Sequence, residues 1–250
     1  MDAMTIERAR SGRSTGAARV VAYLGGAAFA VAAAWYALAA NGVTVAAEPR
    51  ALPDQSVQQH LAMYFSWFVS TLQQERLYTG IAIAAFLCLM VTAAFLRDRL
   101  GRRGPLASVG AVAIGAGAGL WVVGKVLQLG GHQAVGLMAT HGNPIGAVNS
   151  IAFTIDTVDH AFELAAFALI GLGMVALARS AMRAGSEHLA WGAGTLAVGL
   201  VLVALSGSQA ANDGSLADVL LLAGGIVLLP AWLAWTGGLL RSPDGSPHAS

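Results

Sequence analysis

The chain has 250 residues, of which 56% are hydrophobic and only 11% charged, with a formal net charge of +1. Soluble domains carry about 25% charged residues, so this composition excludes an ordinary soluble protein, and the near-neutral balance argues against a nucleic-acid partner. The expected class is an all-α, polytopic membrane protein whose first partner is the lipid bilayer, as the mean hydropathy of +0.66 also indicates.

Residues 1–19 form a basic amino-terminal segment with Arg8, Arg10, Arg13 and Arg19. The first span is expected near 20–40. Its end, "ALAA", resembles a small-residue cleavage site, but about 21 apolar residues exceed the 7–15 of a secretory signal core, so the reading is an uncleaved anchor. In the following loop the stretch "SVQQHLAMYFSWFVSTLQQER" has apolar residues at helical spacing. With Tyr64 and Trp67 it predicts an interfacial helix at 56–72, or an amphipathic cover over the bundle. A helix running unbroken from there through the second span, near 77–96, would be roughly 60 Å long at 1.5 Å per residue. It would also carry Glu75 and Arg76 into lipid, so a break is expected near "QQER". The single cysteine, Cys88, lies in this second span and reads as a small buried hydrophobe.

Further spans are expected near 106–130, 149–178, 189–207 and 216–240, giving a six-helix transmembrane domain over 20–240. The Pro/Ser/Gly-rich tail 241–250 is expected to be disordered and cytoplasmic. No internal repeat is obvious. Gly115 and Gly119 form a small-xxx-small pair suited to close helix packing. Such faces serve the bundle itself, or a homo-oligomer or accessory membrane partner.

Arginine placement sets the expected topology. Eleven of the 14 basic residues fall on one side of these spans: Arg8, Arg10, Arg13, Arg19, Arg97, Arg99, Arg102, Arg103, Arg179, Arg183 and Arg241. The positive-inside rule makes that side cytoplasmic, with both termini inside. The Ala/Gly/Arg-rich composition suggests the plasma membrane of a GC-rich bacterium.

The fourth span is unusual. Asp156, Asp159, His160 and Glu163 interrupt an otherwise apolar run. Asp156, His160 and Glu163 follow i, i+4, i+7 and share one helix face, with Asp159 beside them. A charge deep in a bilayer costs roughly 2.5–3.5 kcal/mol on insertion scales, so these side chains are expected to face the bundle interior. The only lysine, Lys125, lies at a matching depth on the third span. A Lys125–Asp156 or Lys125–Asp159 ion pair is expected. Gln128 and His132 lie one and two turns further out, and His141 follows in the next outer loop. The residues Lys125, Gln128, Asp156, Asp159, His160 and Glu163 therefore outline an outward-facing ion, proton or substrate pocket. Ser206, Ser208, Gln209, Asn212, Asp213 and Asp218 are candidates to extend it.

Three chemistries fit such a cluster. Carboxylates and an imidazole at staggered depth can pass protons or cations along a helix face. His132, His141, Asp159, His160 and Glu163 could supply a divalent transition metal with nitrogen and oxygen donors. Asp159-His160 matches the end of the His-x4-Asp-His signature of nickel–cobalt permeases, but Thr154 stands at its first His, so no family is read from it. Haem is not expected, because His160 has no second histidine at its depth. No His-Glu-x-x-His or P-loop motif is present, so an enzyme is the less favoured class. The expected function is a transporter-like or proton- or cation-coupled membrane protein. The alternatives are a structural or accessory subunit whose charges lock helix packing, and a metal-dependent membrane enzyme.

Overall fold

The computed structural model describes residues 3–40, 43, 49, 55–100, 104–183, 188–211 and 213–240, and these are helical apart from short connections. Seven α-helices follow in chain order: α1 Ala3–Ala40, α2 Val57–Leu100, α3 Pro105–Thr140, α4 Ile145–Arg183, α5 Leu189–Ala210, α6 Gly214–Leu222 and α7 Leu229–Leu239. A π-helical segment, Ala223–Leu228, joins α6 to α7. The tail 241–250 lies outside the described residues, as do Arg102 and Arg103.

Local chemistry sets the helix ends. Ser56 and Gln59 form a capping box before α2: the Ser56 amide donates to Gln59 Oε1 at 3.0 Å, and the Gln59 amide donates to Ser56 Oγ at 3.3 Å. Two arginines, Arg97 and Arg99, occupy the last turn of α2, where cations oppose the negative end of the helix dipole. Gly104, at φ 144°, precedes Pro105 at the start of α3, the one arrangement that needs both residues' backbone habits. Asp213 caps α6 by accepting from the Leu216 amide at 3.1 Å.

Five helical stretches are long and apolar enough to cross a membrane: Gly16–Ala39 within α1, then α2, α3, α4 and α5. The sixth expected span, 216–240, is helical but is divided into α6, the π segment and α7. Pro230 has no amide to donate, and just before it the Leu229 amide reaches back five residues to the Gly224 carbonyl. The ladder therefore changes register where the sequence holds a Gly-Gly pair and a proline.

The expected break near residues 73–76 is absent. α2 runs continuously for 44 residues, roughly 66 Å at 1.5 Å per residue. The stretch 56–72 is accordingly not a separate interfacial helix: its described helical part is the first half of α2. Phe65 and Phe68 pack there with Val135 of α3 and Val148 of α4, forming a second, smaller core at the end of the bundle that holds the α3–α4 turn. A break was expected because the helix would be too long to span and would carry Glu75 and Arg76 into lipid; Glu75 turns toward His132 instead, while Arg76 is exposed.

The helices form a closed ring. Each of α1 to α5 packs against the next, α6 and α7 pack on α5, and α7 with the π segment returns to α1. The main core lies inside this ring, with Leu89, Ile114, Ile170, Met174, Leu202 and Leu233 among its most buried side chains. Two indole–hydroxyl bonds tie α5 to α7: Trp191 Nε1 donates to Thr236 Oγ1 at 3.1 Å, and Trp232 Nε1 to Thr195 Oγ1 at 2.9 Å.

A glycine seam unites α3 and α4. Gly110, Gly117, Gly124 and Gly131 recur every seven residues, the spacing of a left-handed helix pair. A Cβ at Gly110 would stand 2.6 Å from the Gly173 carbonyl oxygen, and one at Gly117 would stand 2.7 Å from that of Ala166. At Gly124 it would meet Phe162 Cβ at 2.7 Å. Gly171 and Gly199 bring α4 and α5 together in the same way, each facing the other's carbonyl oxygen at 2.8 Å. The pair singled out from sequence behaves differently: Gly115 faces open space and Gly119 makes only ordinary contact with Met90.

Candidate functional site in the centre of the bundle

The seam controls where the charges go. Gly124 lets α4 approach α3 closely beside Lys125, and a Cβ there would lie 3.4 Å from Asp159 Oδ1. Across this short gap Lys125 Nζ contacts Asp159 Oδ2 at 2.6 Å and Glu163 Oε1 at 2.7 Å. It also donates to Gln128 Oε1 at 3.0 Å, one turn along its own helix. The indole of Trp121, one turn the other way, lies under the ammonium at 5.6 Å, within cation–π range. Of the two partners expected for Lys125, Asp159 is in contact and Asp156 is not.

Asp156 belongs to a second cluster. His132 stands between two carboxylates, with Nδ1 2.7 Å from Glu75 Oε1 and Nε2 2.8 Å from Asp156 Oδ1. Ionised carboxylates only accept hydrogen bonds, so an imidazole so placed satisfies both when both its nitrogens carry hydrogen. The edge of the pair Phe68–His132, at 5.1 Å between ring centroids, closes one side. Three helices meet at this one buried imidazole.

The remaining candidates lie apart. His160 is exposed on α4 and borders the cavity described next. His141 is exposed at the end of α3, where its Nδ1 hydrogen-bonds the Leu137 carbonyl at 2.7 Å. His132, His141, Asp159, His160 and Glu163 do not converge as a ligand set. Among the described residues no three His, Cys, Asp or Glu side chains are grouped to hold a metal ion.

A cavity of about 440 Å³ lies beside the Lys125 cluster, and every part of the ring contributes to its wall. One side is polar, with Lys125, Gln128, Asp156, Asp159, His160 and Glu163. A second side is aromatic, with Phe29 and Tyr36 of α1, Tyr78 and Phe86 of α2, Trp121 of α3 and Phe167 of α4. Phe86 stacks on Trp121 at 3.9 Å, Phe29 meets Phe86 edge-on at 4.8 Å, and Tyr36 meets Tyr78 at 6.0 Å. The third side is aliphatic, from Leu202 and Leu205 of α5 and from Leu221, Leu222, Gly224 and Leu229 around the π segment. The Asp156 side chain, on the polar side of the cavity, is 52% exposed. Two buried polar atoms of its lining residues, Asp159 Oδ1 and Trp121 Nε1, have no hydrogen-bond partner among the described residues.

Sequence reasoning missed Glu75, Trp121, Tyr36 and Tyr78. Glu75 carried a signal, because an acid inside a long apolar helix needs a partner and His132 lay at a compatible level. The aromatic residues carried none, since their inward facing depends on how the ring closes. Of the candidates for extending the pocket, Ser206 donates to the Leu164 carbonyl at 3.0 Å and Asp213 caps α6. None of the described ones lines the cavity, and Asn212 lies outside the described residues.

The geometry is that of an all-helical, multi-pass membrane architecture built around an internal amphipathic cavity. The chain matches no family model, no curated protein and no solved structure.

Proposed function

We propose that this is a transporter-like protein of a bacterial plasma membrane, with six spans, both termini cytoplasmic, and a central cavity that couples a small solute to protons or cations. The arginine distribution supports the orientation. In that orientation the exposed Asp156 lies toward the outer side of the cavity. The observation that carries the reading is the Lys125–Asp159–Glu163 cluster on the wall of a cavity large enough for a small molecule. Two carboxylates share one ammonium, which leaves a negative charge for a proton or a cationic solute to balance. Intramembrane ionisable groups facing a cavity are the recurring parts of ion pathways and proton relays.

The test is proton flux in proteoliposomes loaded with a pH-sensitive dye. Under an imposed pH gradient, vesicles with the protein should dissipate it faster than empty vesicles, and the excess should disappear with Glu163→Gln. Wild-type vesicles indistinguishable from empty ones would refute proton coupling. A structural reading has one observation in its favour, that Lys125, Asp159, Glu163, His132, Glu75 and Asp156 all find partners among themselves. It is separated below by neutralising one of these clusters as a unit.

A further inference from the structure

The cavity is not a generic polar pocket, and its three sides restrict what can occupy it. Three carboxylates, Asp156, Asp159 and Glu163, face one ammonium, Lys125, in the lining. Acidic side chains thus outnumber basic ones on this wall, although Asp156 is also paired with His132. An anionic amphiphile is therefore opposed by its head group. A small hydrated cation fits poorly, because most of the lining is aromatic or aliphatic and no three ligand side chains are grouped among the described residues. A sugar or another uniformly polar solute would lose hydrogen bonds against Leu202, Leu205, Leu221 and Leu229. A neutral apolar molecule would leave the polar side of the wall unmatched.

One class satisfies all three sides. We propose that the cavity binds a hydrophobic organic cation, with its charge beside Glu163 and Asp156 and its apolar body between the Phe86–Trp121 stack and the leucines of α5 and the π segment. This rests on the solute-handling reading above and names its substrate class. Aromatic faces attract cations through their quadrupoles, so the second side supports the same charge as the first. The buried, unpartnered oxygen of Asp159 adds a further negative atom next to the site. The exposed Asp156 offers an incoming cation its first contact, and the excess negative charge discriminates between two ligands of equal shape and opposite sign.

The experiment uses that discrimination. Binding of radiolabelled tetraphenylphosphonium to the detergent-purified full chain is measured by equilibrium dialysis, with tetraphenylborate as the same shape carrying the opposite charge. The expected result is saturable binding of about one phosphonium per chain, at least about tenfold tighter than the borate. Glu163→Gln should weaken phosphonium binding by about tenfold. Ala32 of α1 lines the cavity between Phe29 and Tyr36, and Ala32→Phe, which fills that space, should abolish binding while leaving the elution volume unchanged. The comparison of the two ions needs no variant, so it stands even if a substitution fails to fold. Non-saturable uptake, equal affinity for both ions, or binding unaffected by Ala32→Phe would overturn the proposal. Proton flux without phosphonium binding would reject this substrate class and leave the coupling reading in place. Phosphonium binding without proton flux would uphold the substrate class and reject the coupling.

Discussion

Glu75 and His132 hold a 2.7 Å contact between α2 and α3, and this contact accounts for the unbroken course of α2 through a charged dipeptide. Glu75 is partly buried against the imidazole, while Arg76 next to it is exposed. His132 bridges α2 to α4, through Glu75 on one side and Asp156 on the other. His132→Ala would leave two carboxylates facing each other across the vacated site. Hydrogen bonds to charged groups contribute roughly 1.5–3 kcal/mol, so local stability should fall by about 2 kcal/mol, equivalent to about a thirtyfold rise in local opening. Hydrogen exchange read by mass spectrometry should therefore accelerate in 57–72 and in 145–155. Unchanged exchange in both segments would show that the small core around Phe65, Phe68, Val135 and Val148 holds them unaided.

The Lys125 cluster yields a test of structure against function. Removing one partner of a buried ion pair costs about 3–5 kcal/mol, whereas replacing the whole set with neutral residues is often harmless. Lys125→Met alone should thus lower thermal stability in detergent sharply. The triple change Lys125→Met, Asp159→Asn, Glu163→Gln should recover most of the loss. Proton flux separates the readings: a stable triple variant that has lost flux supports a working site, and a stable triple variant with full flux assigns the cluster to packing.

The glycine seam predicts opposite outcomes for neighbouring positions. Alanine is favoured over glycine in a helix by about 1 kcal/mol. Gly115→Ala faces open space and should be neutral or slightly stabilising. Gly117→Ala would press a methyl against the Ala166 carbonyl and Ile170 backbone, and overpacking of this kind costs roughly 1–3 kcal/mol. Melting curves of the two variants should move in opposite directions, or at least differ clearly. Equal behaviour would mean that α3 and α4 are further apart than the seam requires.

Much of this arrangement is legible in the sequence because the expense of charge in lipid is large. The face shared by Asp156, His160 and Glu163 was expected to turn inward, and all three line the cavity although Asp156 and His160 are exposed; the depth of Lys125 pointed to Asp156 or Asp159, and it contacts Asp159 together with Glu163, which that depth did not indicate. That same reasoning failed at Glu75. Treating Glu75 and Arg76 as a unit called for a break, whereas the two side chains point to different environments. The heptad of glycines went unread for a related reason: Gly110, Gly117, Gly124 and Gly131 acquire meaning only when α4 lies against them. Gly115 and Gly119, which fit a familiar motif, face nothing that needs their small size. The division of the sixth rod followed from Gly224, Gly225 and Pro230, which were visible in the sequence but sat inside a run apolar enough to read as one continuous span.

The two sides of the cavity differ in stiffness. Along the seam the backbones of α3 and α4 already touch, and α5 is fastened to α4 at Gly171 and Gly199, so the charged wall has no slack to slide. On the aliphatic wall, a Cβ at Gly224 would find nothing closer than 3.8 Å, and the π turn beside it holds one residue more than a regular turn. Such a turn can hand its extra residue along the rod, rotating the leucines on one side of it while the lysine and its acids stay fixed. The charged wall is thus the braced side of the cavity and the π segment the more loosely packed one.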